Sequence, residues 1–414
     1  MWRNTLTFFP RSDRLHRILI LLSSILISFC LGGVYAWSAF VPALREEFGL
    51  TSAQCQTVFG VTIAVFTIAM VPAGRWLGRI SPRWIAGTGG LTLGLGYLLA
   101  SFGSGSFISL LLGVGVVGGI GIGLAYVCPI AVCLRWFPHH RGLITGLTVC
   151  GFGGGGIGLS WLIGSLQAAG VPTMHIFRWV GLLITLLVVP ASLILVMPRH
   201  PSSTDNHGKS FPKNLSQILR SRAFAAPAVG MFSGTFAGLM VIGNLREIGL
   251  AANVAPEFAM LAISLFAVGN GTGRIIWGGM VDRWGKLCIP ASLLVLAGAI
   301  TLNAVSNGGA ASFLIGSLIC GFGFGACFVV YAAQISERFG VEQFASVYPL
   351  IFLLYGLSGI LGPVVGGMVF DATNSFVPAL MIAVAVAVTG ALIAWRLDSR
   401  QCAVAIAKSL SATA

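Results

Sequence analysis

An all-α integral membrane protein, with twelve transmembrane helices in two pseudo-symmetric six-helix halves, is the fold class this sequence predicts. Hydrophobic residues make up 56% of the 414 and charged residues only 8%, with a mean hydropathy of +0.93, a balance no soluble domain of this length sustains. Apolar runs of about 20 residues, the length a helix needs to cross a hydrocarbon core, follow one another almost from end to end. Short motifs of the first half also return in the same order about 200 residues later. Strand-like alternation between turn signals is absent, which argues against a barrel.

Residues 1–17 mix Arg3, Arg11, Asp13, Arg14 and Arg17 with Phe8-Phe9-Pro10, and no small-residue cleavage site follows a short apolar core. They read as a cytoplasmic tail rather than a signal peptide. The first six spans fill 18–197, at 18–42, 53–74, 84–102, 106–134, 142–168 and 175–197. A polar linker, 198–221, is expected on the cytoplasmic side. The second six fill 222–395, at 222–244, 257–281, 287–305, 309–335, 343–370 and 374–395, and 396–414 forms a second cytoplasmic tail.

With the amino terminus inside, 20 of the 24 basic residues fall on the cytoplasmic side and three, Arg45, Arg178 and Arg246, on the outside. This asymmetry predicts that both termini are cytoplasmic. It also accounts for the net charge of +13 without nucleic acid, since the basic residues are scattered through short loops. One basic residue, Arg274, has no place in either set.

The nine cysteines form no CxxC and lie mostly inside apolar runs, so they read as packing residues, with no metal site and no cofactor implied. The stretch G-F-G-G-G-G at 151–156 is read as close helix packing, because no Lys-Ser or Lys-Thr follows to make a phosphate loop. An enzyme is not expected, for want of any nucleophile-base pair or metal cluster.

The duplication rests on three pairs. L-R-E-E-F-G-L (44–50) matches L-R-E-I-G-L (245–250), G-I-G-I-G (119–123) matches G-F-G-F-G (321–325), and the loop at 74–83 matches that at 278–286. The second loop, G-G-M-V-D-R-W-G-K, resembles the signature loop of the major facilitator superfamily. Within that superfamily the chain resembles the oxalate/formate antiporter family, through G-G-V-Y-A-W (32–37), R-W-F-P-H-H-R-G (135–142) and N-G-T-G-R-I-I-W-G (270–278). The resemblance covers nearly the whole chain and has a monocarboxylate-transporter-like character. It implies the major facilitator fold and latch loops that hold neighbouring helices on the cytoplasmic side, here Gly74, Arg79, Gly278, Asp282 and Arg283. One departure is visible: Gly78 stands where the first loop would carry its aspartate.

Arg274 sits in the eighth span among Gly269, Gly271 and Gly273, glycines that admit either a ligand or another helix. An arginine near a bilayer centre costs about 2.5 to 3.5 kcal/mol on insertion scales. All 11 acidic residues lie at span ends, in loops or in tails, and all six histidines are likewise peripheral. A bound carboxylate would supply the missing charge, and a guanidinium fork suits it. The bland alternative is that Arg274 snorkels to the interface or is purely structural.

The resemblance further implies a lysine in the eleventh span for a second carboxylate, and that position here is Tyr355, which carries no charge. A dianion would leave about one charge unpaired, so a small monocarboxylate is expected over oxalate. An aromatic cage is implied as well, at Tyr35, Trp37, Tyr126, Phe152, Phe324, Phe328 and Phe352. Tyr331 and Tyr348 are weaker candidates for the cage, with interfacial anchoring the favoured reading for either. No intramembrane Asp, Glu or His is available to carry a proton, which favours anion exchange or facilitated diffusion; symport stays open if the acid itself or Asp371 carries it.

The expected function is therefore alternating-access transport of formate-, lactate- or pyruvate-class anions. The protein is expected to be monomeric, multi-pass and resident in a bacterial inner membrane, with the lipid bilayer and a small organic anion as partners. A carrier of a sugar or drug with a structural Arg274, and a non-transporting anion sensor, are the alternatives.

Overall fold

The computed structural model describes residues 13–198, 215–306 and 309–413; the first twelve residues and most of the linker lie outside these. Everything regular in the described residues is helical. The first crossing, α1, runs as Asp13–Gly32, a 3-10 turn over Gly33–Ala36, and Trp37–Phe48. Then come α2 (Ser52–Trp76), α3 (Pro82–Phe102), α4 (Phe107–Leu110 through a π-helical Leu111–Gly118 into Gly119–Trp136), α5 (Arg141–Ala168) and α6 (Thr173–Leu193). The second set is α7 (Arg222–Gly243), α8 (Pro256–Trp284), α9 (Cys288–Ala304), α10 (Ala310–Gly325, Ala326–Phe328 and Val330–Phe339), α11 (Val341–Thr373) and α12 (Val377–Thr413).

Eleven continuous helical runs among the described residues are long and apolar enough to cross a membrane, where the sequence predicts twelve spans. The difference is one run, Pro256–Ala304, whose 49 residues would extend about 73 Å if straight, more than twice a hydrocarbon core. Gly285 divides it. Its φ of 55° is backbone that a β-carbon disfavours, and a 3-10 turn over Gly285–Leu287 reverses the chain there. Pro256–Trp284 and Cys288–Ala304 are separate crossings, so the expected twelve are present.

Alternating direction puts the start of α1, α5 and α11 and the end of α2, α8 and α10 at one end of the bundle, the basic face. There the first six crossings meet the last six through two seams. In one, α5 packs on α8 with Gly142 against Gly278 and Gly146 against the Arg274 carbonyl. A β-carbon at any of these glycines would collide with backbone, so their absence sets the approach. In the other, α2 packs on α11 with Gly74 against the Ala345 carbonyl. Pro349, four residues on, has no N–H to give that carbonyl, which leaves it facing outward onto the glycine.

Two polar links join the seams. The α5 amino terminus has no side-chain cap of its own, and Asp282 of α8 supplies one: its two carboxylate oxygens accept the Gly142 and Leu143 N–H groups at 2.6 and 2.9 Å. A negative charge there also meets the positive end of the α5 dipole. Arg141 Nη1 donates to the Ser336 carbonyl of α10 at 3.3 Å. Of the other residues expected in the latch loops, Gly74 and Gly278 make the seams, while Arg79 and Arg283 are exposed.

Asp282→Ala removes a cap of about 1 kcal/mol. The expected outcome is a roughly fivefold rise in alkylation rate of a cysteine introduced at Thr145, measured with a membrane-impermeant maleimide applied from the basic face.

Candidate functional site

Arg274 lies about two-thirds of the way along α8 and is 0% exposed, so it does not snorkel. Its donors are held by neutral acceptors. Nε donates to Asn270 Oδ1 at 3.2 Å, one helical turn back, and Nη1 donates to the Val149 carbonyl of α5 at 2.6 Å. The guanidinium carbon stands 4.6 Å from the centre of the Phe328 ring, a cation–π contact. Nη2 is buried with no acceptor. No carboxylate pairs with Arg274 among the described residues; the buried ion pair of the C-terminal half, Arg338 to Asp398 at 2.8 Å, is near the basic face.

Gly153 of α5 faces the guanidinium, and a β-carbon there would lie 3.6 Å from Nη1, an ordinary contact. The glycines on the arginine's own helix act differently. Gly269 and Gly273 press on the Leu318 and Phe322 carbonyls of α10, so they serve helix packing, whereas Gly271 faces open space.

Around Arg274 the predicted rings come together from five crossings. Tyr35 of α1 meets Phe152 of α5 edge-on at 5.4 Å, and Tyr126 of α4 meets Phe152 at 5.2 Å and Phe352 of α11 at 5.3 Å. Phe324 and Phe328 of α10 are perpendicular at 5.2 Å. Phe328 then meets Tyr355 at 5.3 Å, and Tyr355 meets Phe352 at 5.1 Å. The hydroxyls of Tyr35 and Tyr355 are 3.0 Å apart, a hydrogen bond between the first and last six crossings.

Trp37 is not part of this shell. It packs on Phe40 and Phe177, and its Nε1–H donates to the Cys55 carbonyl at 2.9 Å. Positions two apart on a helix point about 200° apart, so Tyr35 and Trp37 face opposite ways. Tyr331 and Tyr348 are not interfacial anchors either, both being fully buried. Tyr348 belongs to the shell, 5.4 Å from Phe352, while Tyr331 packs against Gly230 of α7.

Sequence reasoning missed four contributors. Phe66 of α2 meets Tyr126 at 5.2 Å and Phe352 at 5.6 Å, closing the shell from a sixth helix. Tyr348 shares its spacing of four and three with Phe352 and Tyr355, a helical face that could have placed it. Asn270 precedes Arg274 by four, also a legible signal. The Val149 carbonyl has none, because every residue carries one.

The sequence pattern of the Major Facilitator Superfamily matches residues 20–363, and again 228–409. The chain belongs to this superfamily. Its similarity extends to the uncharacterized MFS-type transporter YhjX of Escherichia coli (strain K12), 27% identical over 85% of this chain and 88% of that one. The oxalate:formate antiporter of Oxalobacter formigenes is 24% identical, over 87% and 86% of the two chains. Monocarboxylate transporter 11 of Homo sapiens is 25% identical, over 85% and 76%. Among solved structures, the E. coli fucose:proton symporter FucP superimposes with a TM-score of 0.69 at 17% identity, covering 93% of this chain and 99% of that one, which speaks for the fold alone. This is a multi-pass membrane protein with the fold of a transporter.

The buried cation has a stability consequence. Asn270→Asp places a carboxylate beside Nε, and pairing the charge is expected to stabilise by about 1 to 3 kcal/mol. A higher unfolding temperature in detergent, measured by thermal shift, is the predicted result.

Proposed function

We propose that this superfamily member carries small monocarboxylates by alternating access, with Arg274 as the partner of the anion. The observation that carries the reading is the buried Nη2 donor of a guanidinium that has no acidic partner among the described residues. An anion with one negative charge completes it, and burying a cation together with its counter-ion costs far less than burying it alone. The surrounding rings suit a short apolar tail, with ring edges toward oxygen and the Phe328 face on the cation. Relatives whose names specify oxalate and formate, or monocarboxylates, support the same substrate class.

The charge count argues for one carboxylate. Tyr355 offers a neutral hydroxyl where a second cation would be needed, and the exposed Asp371 is sixteen residues, about 24 Å of helix, further along α11. Exchange of one anion for another, or facilitated diffusion, needs no titrating side chain in the shell. We place the basic face in the cytoplasm of a bacterium's inner membrane by the charge asymmetry, with the chain acting as a monomer and residues 18–197 and 222–395 as its two rocking halves.

Counterflow in proteoliposomes against a panel of mono- and dicarboxylates and neutral sugars tests the reading. Arg274→Gln is expected to lower monocarboxylate exchange at least a hundredfold while the protein still inserts and elutes as a single species. Exchange at the normal rate in that variant would overturn the anion site, and sugar exchange by the unsubstituted protein would favour a neutral substrate. Tyr355→Lys, tested on the same panel, is expected to shift preference toward dicarboxylates.

A further inference from the structure

The repeated L-R-E motif has no part in the aromatic shell. Leu44, Arg45 and Glu46 close the first crossing, and Leu245, Arg246 and Glu247 open the short helix Leu245–Ala251 that follows α7. Both copies lie at the far face of the bundle, opposite the basic one. In each the leucine is buried and anchors the helix end, whereas the arginine and the glutamate are exposed. Glu47 is already engaged, its Oε1 accepting the Thr173 hydroxyl at 2.6 Å. Arg45, Glu46, Arg246 and Glu247 have no ion pair among the described residues.

The duplication makes these four charges self-complementary. Halves built as parallel repeats are related by an axis along the membrane normal, which carries α1 onto α7. Contact between equivalent positions across that axis would set Arg45 on Arg246 and Glu46 on Glu247. A shift of one residue sets Arg45 on Glu247 instead, and the same axis then sets Glu46 on Arg246. Adjacent opposite charges, present in both halves, thus give two ion pairs from one approach, as in a two-fold interface. Space for the approach exists: Val41, Pro42, Arg45, Glu46, Gly49 and Leu50 line an open groove with nothing from the last six crossings in its walls. The basic face, by contrast, is closed here through the glycine seams.

We infer that the outer ends of α1 and α7 close the far face on a double ion pair, Arg45 with Glu247 and Glu46 with Arg246, when the basic face opens. This closure rests on the rocking of the two halves and not on the identity of the substrate. The four charges counterbalance the Asp282 cap: one state keeps the carboxylate on the α5 amino terminus, and the other pairs the far-face charges. Exposed ion pairs are individually weak and screened by salt, which suits contacts that break in every cycle.

Opening of the basic face reports on this closure without any substrate. A cysteine introduced at Thr145, buried on α5 beside the seam, is alkylated by an impermeant maleimide from the basic face only as that face opens. Arg45→Glu and Glu247→Arg should each slow the labelling about three- to fivefold, because like charges then meet at the far face. Combining the two restores opposite charges and should return the rate to within about twofold of the starting protein. Glu46→Arg and Arg246→Glu repeat the experiment on the other pair. The swap within one half, Arg45→Glu with Glu46→Arg, keeps the net charge but sets like on like twice, and should slow labelling most. Single reversals without effect, a cross-half combination that fails to restore the rate, or a within-half swap that labels normally would each overturn the double pair. None of these outcomes bears on the anion shell, whose test is the counterflow panel.

Discussion

An arginine buried two-thirds of the way along α8, with an unanswered donor and no acid beside it among the described residues, is the constraint around which the centre of this protein is arranged. Two of its five N–H donors are answered, both by neutral atoms. Asn270 takes one donor from its own helix and the Val149 carbonyl takes another from α5. Gly142 and Gly146 let the two helices come close enough for that reach. A ring from α10 lies under the cation and further rings exclude water, which strengthens every remaining electrostatic interaction. The buried cation has no counter-charge among the described residues.

The same side chain joins the two sets of crossings. Its bond to Val149 crosses between the first and last six crossings, as does the tyrosine pair. At the basic face the two sets meet through glycine seams and through Asp282 on the α5 amino terminus, contacts that are individually weak and break without leaving a buried charge. The arrangement is lopsided, because the first-half loop carries Gly78 where its counterpart carries Asp282, and the α11 amino terminus starts from Gly340 with no side-chain cap.

Much of this was legible in the sequence, for reasons that differ between parts. The twelve crossings follow from apolar run length and from loop charge, which are properties of segments rather than of single contacts. Arg274 stood out through a census of acids, a deduction that needs no coordinates. The rings of the shell were placed by the family resemblance, which points to matching positions in five spans, Phe324 and Phe328 among them. Trp37 failed because an aromatic residue in the right span says nothing about its direction, and two residues of separation turn it away from Tyr35. Tyr348 was passed over because tyrosine is common at membrane interfaces, although its spacing with Phe352 and Tyr355 marks one face. The Val149 carbonyl was invisible, since backbone acceptors leave no trace in residue type.

The central claim is that the shell around Arg274 takes one negative charge, and direct binding tests it most simply. Thermal unfolding of the purified protein would be followed while titrating pyruvate and, in parallel, its uncharged amide. Ligand binding to the folded state raises the unfolding temperature with concentration. A saturable rise with the acid and none with the amide is the result predicted for a site completed by a carboxylate. An equal rise with both, or no rise with any monocarboxylate, would mean that Arg274 is satisfied within the protein and holds no anion.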